Sequence, residues 1–321
     1  MKAVIIGPGN VASQTQMIAP EAVKGHAVVQ LTASALNHRD VWITKGQYPG
    51  IKEGAVMGSD GCGLYRGKEV ILNPGLAWGL SEACQGDQFR VLGVPDNGTF
   101  ADFISIPEEY LLPKPVHLSC LEAAALPLAG VTAYRSLISR AKAKAGERVL
   151  VTGIGGGVAL MAMQFAVALH CEVYVTSSDQ EKIKKAVSMG AMEGALYTDE
   201  GWHNDFLNKS GGFDVIIDGS CGSSFPLLLK MLRAGGRLAF YGATAGSIPP
   251  INPQLVFWKQ LSILGSTMGS PSDFQEMVDF VTLHSIVPVI DQVFSLQDAG
   301  AAFRRMAEGR QFGKIVFDHS I

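Results

Sequence analysis

Charge is scarce in this sequence. Only 17% of its 321 residues are charged, and 26 basic against 29 acidic side chains leave a formal charge of −3. The broad positive field that drives non-specific nucleic-acid binding is therefore missing. Cysteine is sparse as well. Cys62, Cys84, Cys120, Cys171 and Cys221 are odd in number, widely scattered and never spaced C-x-x-C, which excludes a disulfide framework and a cysteine metal clip. The seven histidines are equally dispersed, with none three to five residues from another, so a His/Cys zinc cluster has no support. No uninterrupted apolar stretch reaches the roughly 18 residues that span a bilayer. The early run Val4-Ile5-Ile6 stops at Gly7-Pro8, too short for a secretory signal. A soluble, reducing, cytoplasmic setting is expected, with neither nucleic acid nor membrane as partner.

Apolar surface and glycine are plentiful. With 47% hydrophobic residues the chain has a substantial core to bury, and its length suits two domains, or one with a large elaboration. The 37 glycines show no triplet period and read as turns and close backbone approaches.

Short β-prone runs, Ala27–Leu31, Glu69–Leu72 and Phe103–Ile106, are punctuated by Tyr48-Pro49-Gly50, Asn73-Pro74-Gly75 and Asp96-Asn97-Gly98. This texture predicts an irregular barrel or sandwich. Near Pro113-Lys114-Pro115 it changes. Ser119 to Ala141 reads as helix, opened by a Ser119/Glu122 capping box. From Arg148 strands and helices alternate: strand Arg148–Thr152, helix Val158–Leu169, strand Glu172–Thr176, a helix to Met189, strand Asp214–Asp218, helix Phe225–Leu232 and strand Arg237–Tyr241. The series predicts a doubly wound parallel sheet. Strand Ser262–Gly265, helix Asp273–Leu283, strand Val287–Phe294, helix Gln297–Ala307 and strand Gly313–Phe317 follow.

The first strand of that series runs into Thr152-Gly153-Ile154-Gly155-Gly156-Gly157-Val158-Ala159. Glycines between a strand and a helix let the backbone approach a pyrophosphate, stabilised by free N–H groups and the helix dipole. A tight turn without ligand is the competing reading, which the βαβ context weakens. The next strand ends in Ser177-Ser178 with Lys182 beyond, and its first acid is Asp179. A ribose 2′-hydroxyl is usually met there by Asp or Glu, whereas hydroxyls and a lysine suit a 2′-phosphate. NADP(H) is therefore favoured over NAD, against the plainer reading of Ser178 as a helix N-cap and Lys182 as a solvated side chain.

At this point the chain resembles a medium-chain dehydrogenase/reductase, and within it the zinc-independent quinone oxidoreductase branch, over essentially its whole length. Asn37-His38-Arg39-Asp40-Val41-Trp42 with Lys45-Gly46-Gln47-Tyr48-Pro49 resembles that branch's N-x-x-D…R-x-G-x-Y-P segment, with Lys45 in place of Arg. Asn97-Gly98-Thr99-Phe100, Ala129-Gly130-Val131-Thr132-Ala133-Tyr134, Gly156-Gly157-Val158-Ala159 and Gly313-Lys314-Ile315-Val316 agree as well, although Ala159 stands where the family more often has Gly. The resemblance implies an α/β fold. A GroES-like β-rich catalytic domain would comprise residues 1–118, completed by about 266–321, and a Rossmann domain residues 119–265. Between the two a cleft would hold cofactor and acceptor. Zinc-dependent relatives have Cys where Asn37 stands, His-Glu where Ser59-Asp60 stands, and a second Cys near Leu128. Their four-cysteine lobe is reduced to Cys84. No zinc is expected, and a makeshift site from His38, Asp40 and Asp60 has little in its favour.

Without a Lewis acid the alkoxide of an alcohol undergoing oxidation lacks its usual stabiliser. Transfer of hydride to a quinone or α,β-unsaturated carbonyl needs only hydrogen-bond donors and a proton. By resemblance those donors are Asn37 and Tyr48. Their plainer readings are a loop-orienting amide and a wall aromatic. Asp40 is expected to fix the loop, and Phe100 to pack beside the cleft. The cofactor would be held by Gly155, Gly156, Gly157 and Val158, with Ser177, Ser178, Lys182 and Tyr197 at the 2′-phosphate. Thr132, Ser220, Gly242, Ala243, Met268, Gly269 and Lys314 would make its remaining contacts. Plainer readings make Tyr197 an edge-strand aromatic and Lys314 a surface ion-pair residue. A homodimer is implied, paired through Leu261–Gly265. Competing functions are an alcohol/aldehyde or enoyl-thioester reductase, and a non-catalytic NADPH-binding module.

Overall fold

The structure is a computed structural model describing residues 1–321. The chain divides into two units, Met1–Val131 with Gly269–Ile321, and Thr132–Met268.

The first unit is built on a seven-stranded sheet. Ile290–Ser295, Lys314–Asp318, His26–Leu36, Asp60–Tyr65, Lys68–Leu72 and Leu111–Pro113 lie side by side in that order, and Phe103–Pro107 pairs with the first half of His26–Leu36. The long strand alternates as a half-buried strand should. Ala27, Val29 and Leu31 bury against Val70, Leu72, Ile104 and Ile106. A second cluster gathers Ile6, Leu36, Val41, Met57, Phe303 and Phe317 around Phe100. Phe100 itself is fully buried, edge-on to Phe317 at 4.9 Å. The turn before it explains why: a Cβ on Gly98 would lie 1.9 Å from the Gly58 carbonyl oxygen, so only glycine lets the two loops close and drive Phe100 inward.

The predicted helix Ser119–Ala141 is three segments, Cys120–Ala124, Pro127–Tyr134 and a wider-wound Arg135–Arg140. Pro127 breaks it, since proline lacks an N–H and disfavours helix at the preceding residue. The capping box forms as read, with Glu122 N donating to Ser119 Oγ at 3.3 Å and Ser119 N to Glu122 Oε2 at 2.7 Å. Cys120–Ala124 packs on His26–Leu36 and Asp60–Tyr65. The division therefore falls at Val131/Thr132 and Met268/Gly269 rather than at the 118/119 and 265/266 expected from the sequence.

The second unit holds a six-stranded, wholly parallel sheet in the order Glu193–Leu196, Glu172–Ser177, Arg148–Val151, Phe213–Asp218, Leu232–Phe240, Ser262–Gly265. Numbered along the chain this is 3-2-1-4-5-6, the Rossmann order, whose switch point lies between Arg148–Val151 and Phe213–Asp218. Helix Gly157–Ala168 buries Leu160, Met161, Met163 and Phe165, which accounts for its apolar character all round. Strand Glu193–Leu196 and helices Trp202–Ser210 and Pro253–Trp258 add to the predicted series. No helix is long and apolar enough to cross a membrane.

Candidate active site

At the switch point the chain leaves Val151 through Thr152 into the glycine turn. Gly153 and Gly155 have φ of +64° and +127°, which glycine adopts without strain. Gly156 differs. Its φ of −77° suits any residue, and a Cβ built on it would meet nothing within 4 Å. Neither backbone strain nor packing within the protein requires glycine there; the open space is what the close approach of a pyrophosphate would need. The helix that follows starts at Gly157, with Val158 in its first turn, and has neither a capping side chain nor an acidic residue at that end. Its first N–H groups are left for an anion. These residues fit a dinucleotide.

Asp218 closes the neighbouring strand, fully buried. It accepts from Thr152 Oγ1 at 2.5 Å, Ser220 Oγ at 2.7 Å and Cys221 N at 2.8 Å. Sequence reasoning passed it over; an acid ending an apolar strand, Val215-Ile216-Ile217-Asp218, was the available signal. Ala245 N donates to Ser220 O at 2.8 Å and Cys221 Sγ to Gly242 O at 3.1 Å, so the loops carrying Ser220, Gly242 and Ala243 are stapled together. Thr132 and Met268, far apart in the chain, meet with Oγ1 4.0 Å from the sulfur.

At the far strand end Ser177 is buried, its Oγ accepting from Asp179 N, while Ser178 is exposed. The helix cap is Asp179 rather than Ser178: its carboxylate accepts from Glu181 N at 2.8 Å, and the helix runs Gln180–Ser188. Its extended backbone, φ −131° and ψ 118°, places the side chain for that bond. Lys182 is half-buried within the helix. Tyr197 N donates to Ser177 O at 3.0 Å, and Tyr197 itself is exposed. Ser178 and Tyr197 thus share one end of the sheet.

In the first unit, sheet register brings three distant residues together. Asn37 follows strand His26–Leu36, Lys314 begins the strand paired to it on one side, and Asp60 begins the strand paired on the other. Lys314 Nζ donates to Asp60 Oδ2 at 2.9 Å and to Asn37 Oδ1 at 2.5 Å; Asn37 Nδ2 donates to Asp60 Oδ2 at 2.9 Å. Leu128 N donates to Asp60 Oδ1 at 2.8 Å. Lys314 is only 3% exposed and Asn37 6%. Lys314, expected to reach a nucleotide, is instead committed to this buried ion pair, because its strand starts beside Asp60. Gly269 also has a packing reason of its own, since a Cβ there would lie 2.5 Å from Val131.

Asn37 opens helix His38–Thr44, and Asp40 accepts its N–H at 2.8 Å. Burial pushes the Asp40 carboxyl up to about 6, against the pull of the Arg39 guanidinium. Arg39, itself buried, donates to Leu92 O at 2.7 Å and to Ser59 Oγ at 3.3 Å, and its guanidinium lies 4.6 Å over the Tyr48 ring. Tyr48 packs on the Phe100 cluster, and its hydroxyl makes no hydrogen bond within the chain.

Two domain families match. The alcohol dehydrogenase GroES-like domain covers residues 23–116, and the zinc-binding dehydrogenase family residues 157–282. A zinc-type alcohol dehydrogenase-like protein, YogA, from Leptosphaeria maculans is 34% identical, over 93% of this chain and 92% of that relative. The chain belongs to the medium-chain dehydrogenase/reductase superfamily. It is an oxidoreductase of the nicotinamide-dependent class. The quinone oxidoreductase of Rattus norvegicus is 28% identical to this dehydrogenase/reductase, over 97% of this chain and 94% of the relative. Among solved structures, an NAD-dependent alcohol dehydrogenase superposes with a TM-score of 0.93, at 34% identity and 99% coverage of each chain. The quinone oxidoreductase of Thermus thermophilus, also described in complex with NADPH, gives 0.83 at 28% identity, covering 99% of this chain and 100% of that one.

A catalytic zinc does not fit the donors of this dehydrogenase/reductase. At the four positions where zinc-dependent relatives carry ligands stand an amide, a hydroxyl, a carboxylate and Leu128, and the Lys314 ammonium already contacts the carboxylate. Zinc takes thiolate, imidazole or carboxylate and would be repelled by the adjacent ammonium. No group of three His, Cys, Asp or Glu side chains could hold a metal elsewhere.

Proposed function

We propose that this protein is an NADPH-dependent reductase of quinones or α,β-unsaturated carbonyls that works without a metal. The observation that carries the reading is the Asn37–Asp60–Lys314 cluster: a buried amide with a spare N–H stands where metal-dependent relatives would bind zinc. NADPH, when bound, supplies the hydride. The second unit's open space at Gly156 and uncapped helix start are suited to its pyrophosphate. Ser178, Lys182 and Tyr197 are offered to the 2′-phosphate, with no carboxylate at Ser177 or Ser178 to repel it. Asn37 Nδ2 and the Tyr48 hydroxyl would donate to the acceptor's oxygen, stabilising the negative charge that develops as hydride arrives. Tyr48 or solvent then delivers the proton.

Alcohol/aldehyde turnover with NAD is the second reading, favoured by the name of the 34%-identical solved structure. An enoyl thioester would need basic groups for its phosphates, and Arg39 is already buried against Leu92 and Ser59. The deciding experiment follows NADPH and NADH consumption in parallel against quinones, enones, enals and simple aldehydes, with metal analysis of the same sample. Turnover of quinones or enones with NADPH, and zinc well below one per chain, is expected. Activity confined to simple aldehydes, or stoichiometric zinc, overturns the reading. Tight NADPH binding with no turnover on any acceptor would make the protein a binding module.

A further inference from the structure

An asparagine side chain can point either way round, and which way decides whether it donates or accepts. At Asn37 the surroundings settle the matter. An ammonium group faces one end and a carboxylate oxygen the other, so Oδ1 must face Lys314 and Nδ2 must face Asp60. Rotating the amide would set its NH2 against the Lys314 ammonium and its oxygen against Asp60, two repulsive contacts in a buried site. One Nδ2–H is used by Asp60, and the second has no partner in the chain. Lys314 does more than neutralise Asp60. A cation hydrogen-bonded to an amide oxygen favours the resonance form with negative oxygen and positive nitrogen, which makes the remaining N–H a stronger donor, and such polarisation is strengthened where the dielectric is low.

We infer that Lys314 is a positioning residue that locks the Asn37 amide with one N–H left free and polarises it, so that Asn37 acts as a reinforced oxyanion donor. This rests on the proposed function for its catalytic consequence but not for its geometry. Of these two residues only Asn37 would touch the acceptor, and Lys314 acts through it.

Two independent readouts test the inference on the full-length protein. The first needs no acceptor. With 15N-asparagine labelling, the Asn37 side-chain NH2 resonances, assigned by their loss in Asn37→Ala, should lie well apart and downfield. They should move upfield in Lys314→Met and stay in Lys314→Arg. Unchanged resonances in Lys314→Met overturn the inference even if the protein proves inactive on every acceptor, an outcome that would sink only the functional reading. The second is a double-mutant cycle on an accepted substrate. Lys314→Met should lower kcat about 10²-fold, the scale of losing one oxyanion donor, with KM little changed. Asn37→Ala should do the same, and the double variant should be no worse than Asn37→Ala alone. Additive losses overturn the inference. Because Lys314→Met strands a buried carboxylate, the paired Asp60→Asn/Lys314→Met variant serves as a fold control. Its melting temperature should recover while kcat stays low; recovery of both would mean that Lys314 is structural only.

Discussion

Gly156 separates what a turn needs from what a ligand needs. Its backbone tolerates any side chain and the space beside it is open, so Gly156→Ala should leave the melting temperature unchanged or raise it slightly, by about 0.4–1 kcal/mol of stability. NADPH affinity measured by fluorescence titration should nevertheless fall at least about tenfold, worth about 1.4 kcal/mol. Equal affinity would mean that the turn serves no pyrophosphate. Asp40 gives a prediction in pH. Its folded-state pKa of about 6 lies above the ordinary carboxyl value. Its contribution is therefore fully present below pH ~4 and is lost as pH rises through about 6, a difference of about 3 kcal/mol. Asp40→Asn, which stays neutral, should match the wild type near pH 4, gain on it between pH 4 and 6, and keep a constant advantage above that; parallel melting curves across this window would refute the assignment. At this scale the glycine turn was legible because its signal is local. The Lys314–Asp60 pair was not, since its partners stand far apart in the chain and meet only through strand register.

Strand ends carry the second unit's site, and Asp218 is the fastener at the switch point. Asp218→Ala would strand the Thr152 and Ser220 hydroxyls and the Cys221 N–H, at a cost of about 2–4 kcal/mol. Thermal melting should show that loss, together with weakened NADPH binding as the Ser220 loop drifts. A variant that melts like the wild type would show that the loops are held by Ala245 and Cys221 alone. The parallel series from Arg148 onward could be read directly, because each strand is a short apolar run bounded by glycine or a cap. Glu193–Leu196 escaped because Glu-Gly-Ala-Leu has little β-branching, and helix His38–Thr44 because its cap, Asn37 with Asp40, resembles an ordinary loop signal. Irregular strands joined by bulged pairings, as between Leu31 and Ala33, hid the order of the first unit's sheet.

Across the whole molecule the Rossmann sheet ends at Ser262–Gly265, with an unpaired edge. Just before it, Phe257 and Trp258 are 63% and 83% exposed. An open edge beside exposed aromatics is a surface that proteins usually cover, and a homodimer is the assembly expected of this chain. Light scattering at micromolar concentration should give twice the chain mass, and Trp258→Glu should shift it toward monomer; a wild-type monomer would refute the expectation. The register that seats Lys314 beside Asp60 also bears on how the protein is made. On the ribosome, strands His26–Leu36 and Asp60–Tyr65 emerge long before the strand that carries their counter-charge. Until that strand arrives, Asp60 in a nascent chain lacks its counter-charge. Completion of the first unit therefore waits for the strand that begins at Lys314, and ribosome-stalled chains ending before Lys314 should remain protease-sensitive around Asp60.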